Sequence, residues 1–167
     1  EWSDNGLEGC HKFLKRLWAL SFKISSLEDD AFGASGKTLN DECKDLFIKI
    51  NDDYEKRLNL NTIVSSCMEI LNNINKRFDD KKVLCDKKDL YACYDFLILA
   101  LSPIAPHISE NLYKNILNKD IQDAIWPEES FFHKNETEVK YLVQVNGKVR
   151  ANILIDSDKS EEDVKEI

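Results

Sequence analysis

The segment from Lys87 to Leu101 constrains the fold of this 167-residue chain more than any other. Its sequence, KKDLYACYDFLILAL, places apolar residues on most sides of a helical projection instead of along one stripe. A helix with this pattern is buried by neighbouring elements on most of its sides. We therefore predict that it is the central helix of a bundle and that other helices of the chain surround it.

Four other segments have apolar residues at the 3.6-residue period of helices that bury one face. Asn61 or Thr62 would cap the third helix in chain order, and Pro106 fits the first turn of the last. Short connections favour antiparallel neighbours. We predict a mainly α fold, an antiparallel helical bundle followed by a β-hairpin. The four segments are about 7–24, about 39–58, an apolar stripe from Ile63 to Phe78, and 107–117.

Residues 141–155, YLVQVNGKVRANILI, form the predicted hairpin around Asn-Gly. A two-residue loop pairs Val145 with Lys148 and leaves the apolar residues of the two strands on opposite faces. A three-residue loop pairs Val143 with Val149 and gives one apolar face. We favour the three-residue loop, because a slip of one residue reverses every side chain.

The chain divides, in this interpretation, into a helical bundle over residues 1–130 and the beginning of a small α/β domain over 131–167. The irregular stretch before the hairpin marks the boundary. Ser160 with Asp163 resembles the start of a capped helix, which the chain does not complete. The first residues include neither an initiator Met nor the apolar core of a secretory signal. We expect a piece of a longer chain.

Composition and motifs exclude several classes of protein. The longest apolar run, Phe96–Leu101, is too short for a membrane span. The five cysteines are odd in number and form no C-x-x-C, which favours free thiols in a reducing compartment over disulfides or a zinc site. The chain contains no phosphate-binding or hydrolase motif, and a structural or capping role is favoured for His107. We predict no catalytic residue and no metal site.

Basic residues are the sharper signal. Lys12, Lys15 and Arg16 lie to one side of the first helix, and Lys148 and Arg150 are two apart on a strand. Such groups can neutralise phosphates. From the residues alone, an ordinary solvated face is the favoured explanation of these groups. The net charge of −8, taken alone, argues against a nucleic-acid partner and leaves a protein-interaction module open.

Four segments, in order, resemble the C-terminal part of leucyl-tRNA synthetases of bacterial or organellar type. The V-Q-V-N-G-K-[VL]-R pattern is typical of leucyl enzymes and argues against the related isoleucyl and valyl ones. The resemblance covers about residues 1–155. The segments are EWSDNGLEGCHKFLKRLW, RLNLNTIVSSCMEILN, ALSPIAPHISENLY and YLVQVNGKVRANILI.

This resemblance implies the anticodon-binding domain of a class Ia aminoacyl-tRNA synthetase. The full enzyme ligates leucine to tRNA(Leu) using ATP and magnesium, at catalytic and editing sites that these residues do not include. We therefore expect a tRNA-docking fragment that is inactive alone and holds no cofactor. Its expected partners are tRNA(Leu) and the catalytic domain of the same chain. We further expect a monomer in the cytoplasm or an organelle, with no membrane contact.

Seven residues correspond to positions in these family motifs. Lys12 stands where arginine is usual, which keeps the charge but loses the two-pronged hydrogen bonding of a guanidinium. Trp2 and Trp18 look like packing residues. The predicted tRNA-binding residues are Lys12, Lys15, Arg16, Arg57, Asn61, Lys148 and Arg150.

Overall fold

The computed structural model describes residues 4–33, 38–79, 82–128, 131, 138–145 and 148–156. The chain divides into two compact units, Glu1–Phe132 and His133–Ile167. The first unit contains the five predicted helices. They are α1 (Asp4–Ser25), α2 (Leu39–Asp52), α3 (Leu60–Lys76), α4 (Lys87–Leu101) and α5 (Pro106–Leu117), with short 3-10 turns at Asp29–Ala31 and Ile121–Asp123.

Helix α4 is the central helix, as predicted, and it packs against α2, α3 and α5. Around the middle of α4, the Phe96 ring lies 4.5 Å from that of Phe47 on α2. Trp126, beyond α5, lies 5.3 Å from Phe96 and donates a 2.8 Å hydrogen bond to the Asn51 amide oxygen. The irregular segment after α5 therefore closes one side of the core. The buried residues of α4 are Leu90, Cys93, Tyr94, Phe96, Leu97, Ile98, Ala100 and Leu101.

The start of α2 is fixed by two different caps. The Thr38 hydroxyl accepts a hydrogen bond from the backbone of Asp41, which satisfies one free N–H of the first turn. The carboxylate of Asp89, on α4, accepts from the backbone N–H groups of Leu39 and Asn40. An acidic side chain at the N-terminus also opposes the positive end of the helix dipole. This contact ties α2 to α4.

The connection between α2 and α3 differs from the prediction. Helix α2 does not continue to Leu58: a π-helical turn covers Asp53–Arg57, and Leu58 has a left-handed φ of 49°. The Thr62 side chain does not cap α3 in the expected way, since its hydroxyl contacts the buried carboxylate of Asp53. Asn61 does not cap it either, because Asn59 holds that position. Asp53 is 2% exposed, and a buried carboxylate requires a hydrogen-bond donor. This requirement outweighs regular helix geometry at the end of α2.

A small antiparallel pair, β1 (Phe78–Asp79) and β2 (Lys82–Val83), follows α3. The helical stripe was predicted to include Phe78, and this is wrong. The Arg77 guanidinium lies 2.9 Å from the Glu42 carboxylate on α2 and donates to the carbonyl of Leu84. Arg77 is 8% exposed, so these partners outside the helix decide where the helix ends.

The second unit contains strands β3 (Glu138–Val145) and β4 (Lys148–Asp156), an antiparallel hairpin. Val145 pairs with Lys148, so the predicted three-residue loop is wrong. A bulge follows, in which Val143 pairs with Ala151 and Arg150 has no opposite residue. One extra residue in β4 shifts the register and sets apolar residues opposite each other beyond it. The predicted helix start at Ser160 lies outside the described residues.

Candidate nucleic-acid interface

Helix α1 separates an apolar side from a cationic side. Phe13, Leu17, Leu20 and Ile24 are at most 4% exposed and pack into the bundle, because their spacing returns to one face on each turn. The helix contacts α5 and α3. Its opposite side is in solvent and includes the side chains of Lys12, Lys15, Arg16 and Lys23.

The three predicted cations of α1 differ in their environment. Arg16 donates a 2.5 Å hydrogen bond to the side-chain oxygen of Asn72 on α3, which holds the guanidinium at the α1–α3 edge. Lys12 forms a 2.7 Å ion pair with Glu8, one turn away. Among the residues that the structure describes, Lys15 has no ion-pair partner. Lys15 and Arg16 therefore keep their positive charge available more fully than Lys12.

Two aromatic side chains share the exposed side of α1. Trp18 is 40% exposed and Phe22 is 60% exposed, and their ring centroids lie 6.0 Å apart in a T-shaped arrangement. The prediction that Trp18 is a packing residue is wrong, since it lies at the edge of the buried stripe and projects beyond it. Trp2 lies outside the described residues.

Arg57 and Asn61 do not join the cations of α1. Both are exposed near the α2–α3 connection. Asn61 and Asn72 are separated by eleven residues of α3, which at 1.5 Å per residue is about 16 Å along the helix. Lys148 and Arg150 belong to β4 in the second unit, and Arg150 is the bulge residue. Among the predicted residues of the first unit, the structure thus brings together Lys12, Lys15 and Arg16, and leaves Arg57 and Asn61 apart from them.

A cavity of about 530 Å³ lies at the C-terminal end of α1. Its lining includes two carboxylates, Glu28 and Asp30, beside Lys23 and Lys82. The Lys23 ammonium also lies 5.6 Å from the centre of the Phe78 ring. Charges of both signs make this cavity a poor phosphate site, so the candidate interface is the solvent side of α1.

Among the residues that the structure describes, the thiols and histidines form no catalytic arrangement. All five cysteines are free, and Cys10 is the exposed one. Burial raises the pKa of the Cys67 thiol to about 12 and that of Cys85 to about 11, which disfavours the nucleophilic thiolate. His107 is exposed in the first turn of α5. Within the described ranges, no group of His, Cys, Asp and Glu side chains could hold a metal ion.

Comparison with known proteins places this geometry in a family. The sequence profile described as "Anticodon-binding domain of tRNA ligase" matches residues 36–166. The chain belongs to this family. The matched residues include helices α2 to α5 and the hairpin, whereas α1 precedes them. Searching the described helices for a membrane-spanning segment finds none that is long and apolar enough.

Similarity to leucine–tRNA ligases extends over the whole chain. The chain is 37% identical to the enzyme of Marinobacter nauticus over 177 residues, covering 100% of this chain and 20% of that protein. It is 38% identical to the enzyme of Petrotoga mobilis over 180 residues, covering 99% of this chain and 21% of that protein. These matches confirm the predicted resemblance. The chain spans about a fifth of the length of the curated relatives it matches.

A solved structure has the same fold. The chain aligns with a TM-score of 0.69 and 22% identity to a protein in the ternary complex of Agrobacterium radiobacter K84 agnB2 LeuRS, tRNA and LeuAMS. The alignment covers 99% of this chain and 22% of that one. The predicted fold, a helical bundle followed by a hairpin, is therefore confirmed.

Proposed function

We propose that this chain is the tRNA-docking part of a leucine–tRNA ligase and that it binds tRNA(Leu) through the solvent side of α1. The observation that carries the proposal is the joint occurrence of a family match over residues 36–166 and an exposed cationic side on α1. Ligation of leucine with ATP and magnesium is assigned to other parts of the enzyme. The fragment itself holds no cofactor and activates no leucine.

The charge distribution supports binding by a local patch. The chain as a whole has a formal charge of −8, so its long-range electrostatic interaction with RNA is weakly attractive at most, or repulsive. Lys15 and Arg16 are adjacent, exposed and free of acidic partners among the described residues. Each phosphate contact releases counterions, so a patch of this size gives binding that falls steeply with salt.

The remaining predicted tRNA-binding residues belong to elements other than α1. Arg57 and Asn61 lie at the far end of α3 from Asn72, and Lys148 and Arg150 lie in the hairpin unit. We propose that they contact separate parts of the same tRNA, because an L-shaped RNA can reach several separate surfaces. The proposed setting is a monomeric enzyme in the cytoplasm or an organelle, with the catalytic domain in the same chain.

A filter-binding titration of the 167-residue chain with a tRNA(Leu) transcript tests the proposal. At low salt we expect measurable binding, and Lys15→Ala with Arg16→Ala should weaken it about 10-fold or more and reduce the salt slope by about 1 to 2. Lys49→Ala, an exposed lysine on α2, is the matched control and should change the affinity little.

Two results would contradict this proposal. One is the absence of binding at low salt by a chain whose circular dichroism shows it folded. The other is equal loss of affinity in the Lys49 control, which would mean that total charge and not the α1 patch governs binding. Capture of a protein partner without tRNA binding would favour an interaction module instead.

A further inference from the structure

Trp18 and Phe22 are exposed without a packing role that accounts for them. Four large apolar side chains of α1 are buried and three are exposed: Leu7 is 56% exposed, and the aromatic pair Trp18 and Phe22 is 40% and 60% exposed. They are in contact with each other, with ring centroids 6.0 Å apart. Aromatic residues at surfaces are enriched where a protein binds a partner. The pair therefore indicates a contact surface.

One cation, Lys15, lies on the same side of the helix as this pair. Lys15, Trp18 and Phe22 are spaced at i, i+3 and i+7, which places them along one line about 10 Å long. Arg16 and Lys23 are also exposed on α1. Aromatic rings that stack with bases, beside cations that hold the backbone, are the combination by which proteins bind unpaired nucleotides.

We propose that Trp18 and Phe22 form a stacking platform for unpaired nucleobases of the bound RNA, with Lys15 holding the neighbouring phosphate. This inference rests on the proposed function and adds to it the part of the RNA that α1 recognises: bases outside a duplex. A protein partner is the competing occupant. The adjacent Lys15 favours RNA, because an apolar protein surface offers its ammonium no counter-charge, whereas a phosphate does.

The test replaces the aromatic rings and keeps the apolar character. Trp18→Leu with Phe22→Leu removes both π faces while leaving large apolar side chains that favour a helix. The probes are a single-stranded oligouridylate carrying one central 2-aminopurine, and a blunt RNA duplex of the same length. Phe32→Leu, a half-buried aromatic outside α1, is the matched control.

For the parent chain we expect tighter binding of the single strand than of the duplex and quenching of the 2-aminopurine fluorescence on binding. The leucine pair should weaken single-strand binding at least about fivefold, abolish most of the quenching and leave duplex binding nearly unchanged. Phe32→Leu should preserve both signals. A thermal melt of each variant checks that the bundle is intact.

Unchanged single-strand affinity and quenching in the leucine pair would overturn the stacking platform. If tRNA binding were still lost on changing Lys15 and Arg16, the proposed docking function would stand without it. Equal loss of single-strand and duplex binding in the leucine pair would also overturn it, because stacking acts on unpaired bases alone. If neither the parent chain nor any variant bound tRNA, that result would instead contradict the proposed function.

Discussion

Helices α4 and α1 use the same helical period for opposite purposes. α4 buries residues on most of its sides, including Leu90, Tyr94 and Leu97, each 0% exposed. α1 buries one stripe and exposes cations and aromatic rings on the other. In α4 eight of the fifteen residues are buried in the core, whereas α1 buries one stripe and leaves its other side chains available for recognition.

This difference predicts which measurement each helix controls. Substitutions in α4 should lower the free energy of unfolding without altering the affinity of the folded protein for RNA. Substitutions on the solvent side of α1 should alter affinity with little effect on stability. Four further experiments, from the largest expected effect to the smallest, test whether stability and RNA affinity depend on different residues in this way.

Leu97→Ala should have the largest effect. Leu97 is 0% exposed in the centre of α4, so its truncation removes buried apolar surface and leaves a cavity. We expect a loss of about 2–5 kcal/mol in the free energy of unfolding, measured by urea denaturation. Without urea, and at a temperature where the variant stays folded, its affinity for tRNA should equal that of the parent chain. A weaker affinity would show that the two helices are coupled.

Asp89→Ala tests the connection between α4 and α2. It removes the carboxylate that accepts from the first backbone N–H groups of α2, at Leu39 and Asn40. We expect a loss of about 1–2 kcal/mol in the free energy of unfolding, because a cap and a favourable charge at the helix N-terminus are both lost. Asp89→Asn should lose less, since the amide oxygen still accepts. Equal loss in the two variants would exclude the capping explanation.

The buried thiol of Cys67 predicts a pH dependence. Burial raises its pKa to about 12 from an ordinary value of 9.0, so folding favours the neutral thiol. This contribution to the free energy of unfolding is complete below about pH 9 and is lost as the pH rises towards 12, with roughly 1 kcal/mol lost by pH 10.

The measurement compares unfolding of the parent and Cys67→Val at pH 8 and pH 10. From pH 8 to pH 10, the free energy of unfolding should fall less in Cys67→Val than in the parent, by roughly 1 kcal/mol. Cys10→Val is the control: Cys10 is exposed on α1, in water in both the folded and unfolded states, and should follow the parent. A parallel decline of the parent and Cys67→Val would contradict the assignment to Cys67.

Glu8→Gln should have the smallest effect, and it acts on affinity. Glu8 pairs with Lys12 at 2.7 Å on the exposed side of α1, so its removal frees a cation and deletes a repulsive charge. We expect roughly twofold tighter tRNA binding at low salt, fading at high salt. Stability should fall by no more than about 0.5 kcal/mol. Weaker binding of tRNA by the variant would contradict the expectation that the Glu8 carboxylate repels RNA phosphates.

Much of the bundle was predictable because helical periodicity is local. The bounds of α4 match the prediction, and α5 begins at Pro106, whose fixed φ suits a first turn. The cations of α1 were predictable for the same reason, since they lie off the apolar stripe. Their contacts with RNA stay a prediction. Their individual environments were not predictable, because Asn72 lies 56 residues from Arg16 in sequence.

The errors fall where distant contacts override local pattern. Phe78 continues the helical stripe of α3, yet the chain leaves the helix because Arg77 bonds to Glu42 and Leu84. Asp53 needs Thr62, which unwinds the end of α2. In the hairpin, Val145 pairs with Lys148 and apolar residues still lie opposite each other farther along, because a bulge at Arg150 shifts the register.

The sequence by itself determined the family, the five helices and the position of the α1 cations off the buried stripe, because each depends on neighbours within a few turns. Only the tertiary structure decided that Trp18 is exposed beside Phe22 and that Arg57 and Asn61 lie apart from the α1 cations. It also decided that α3 gives way to a strand. Burial and separation depend on which elements pack together, and long-range contacts that no local period contains decide that packing.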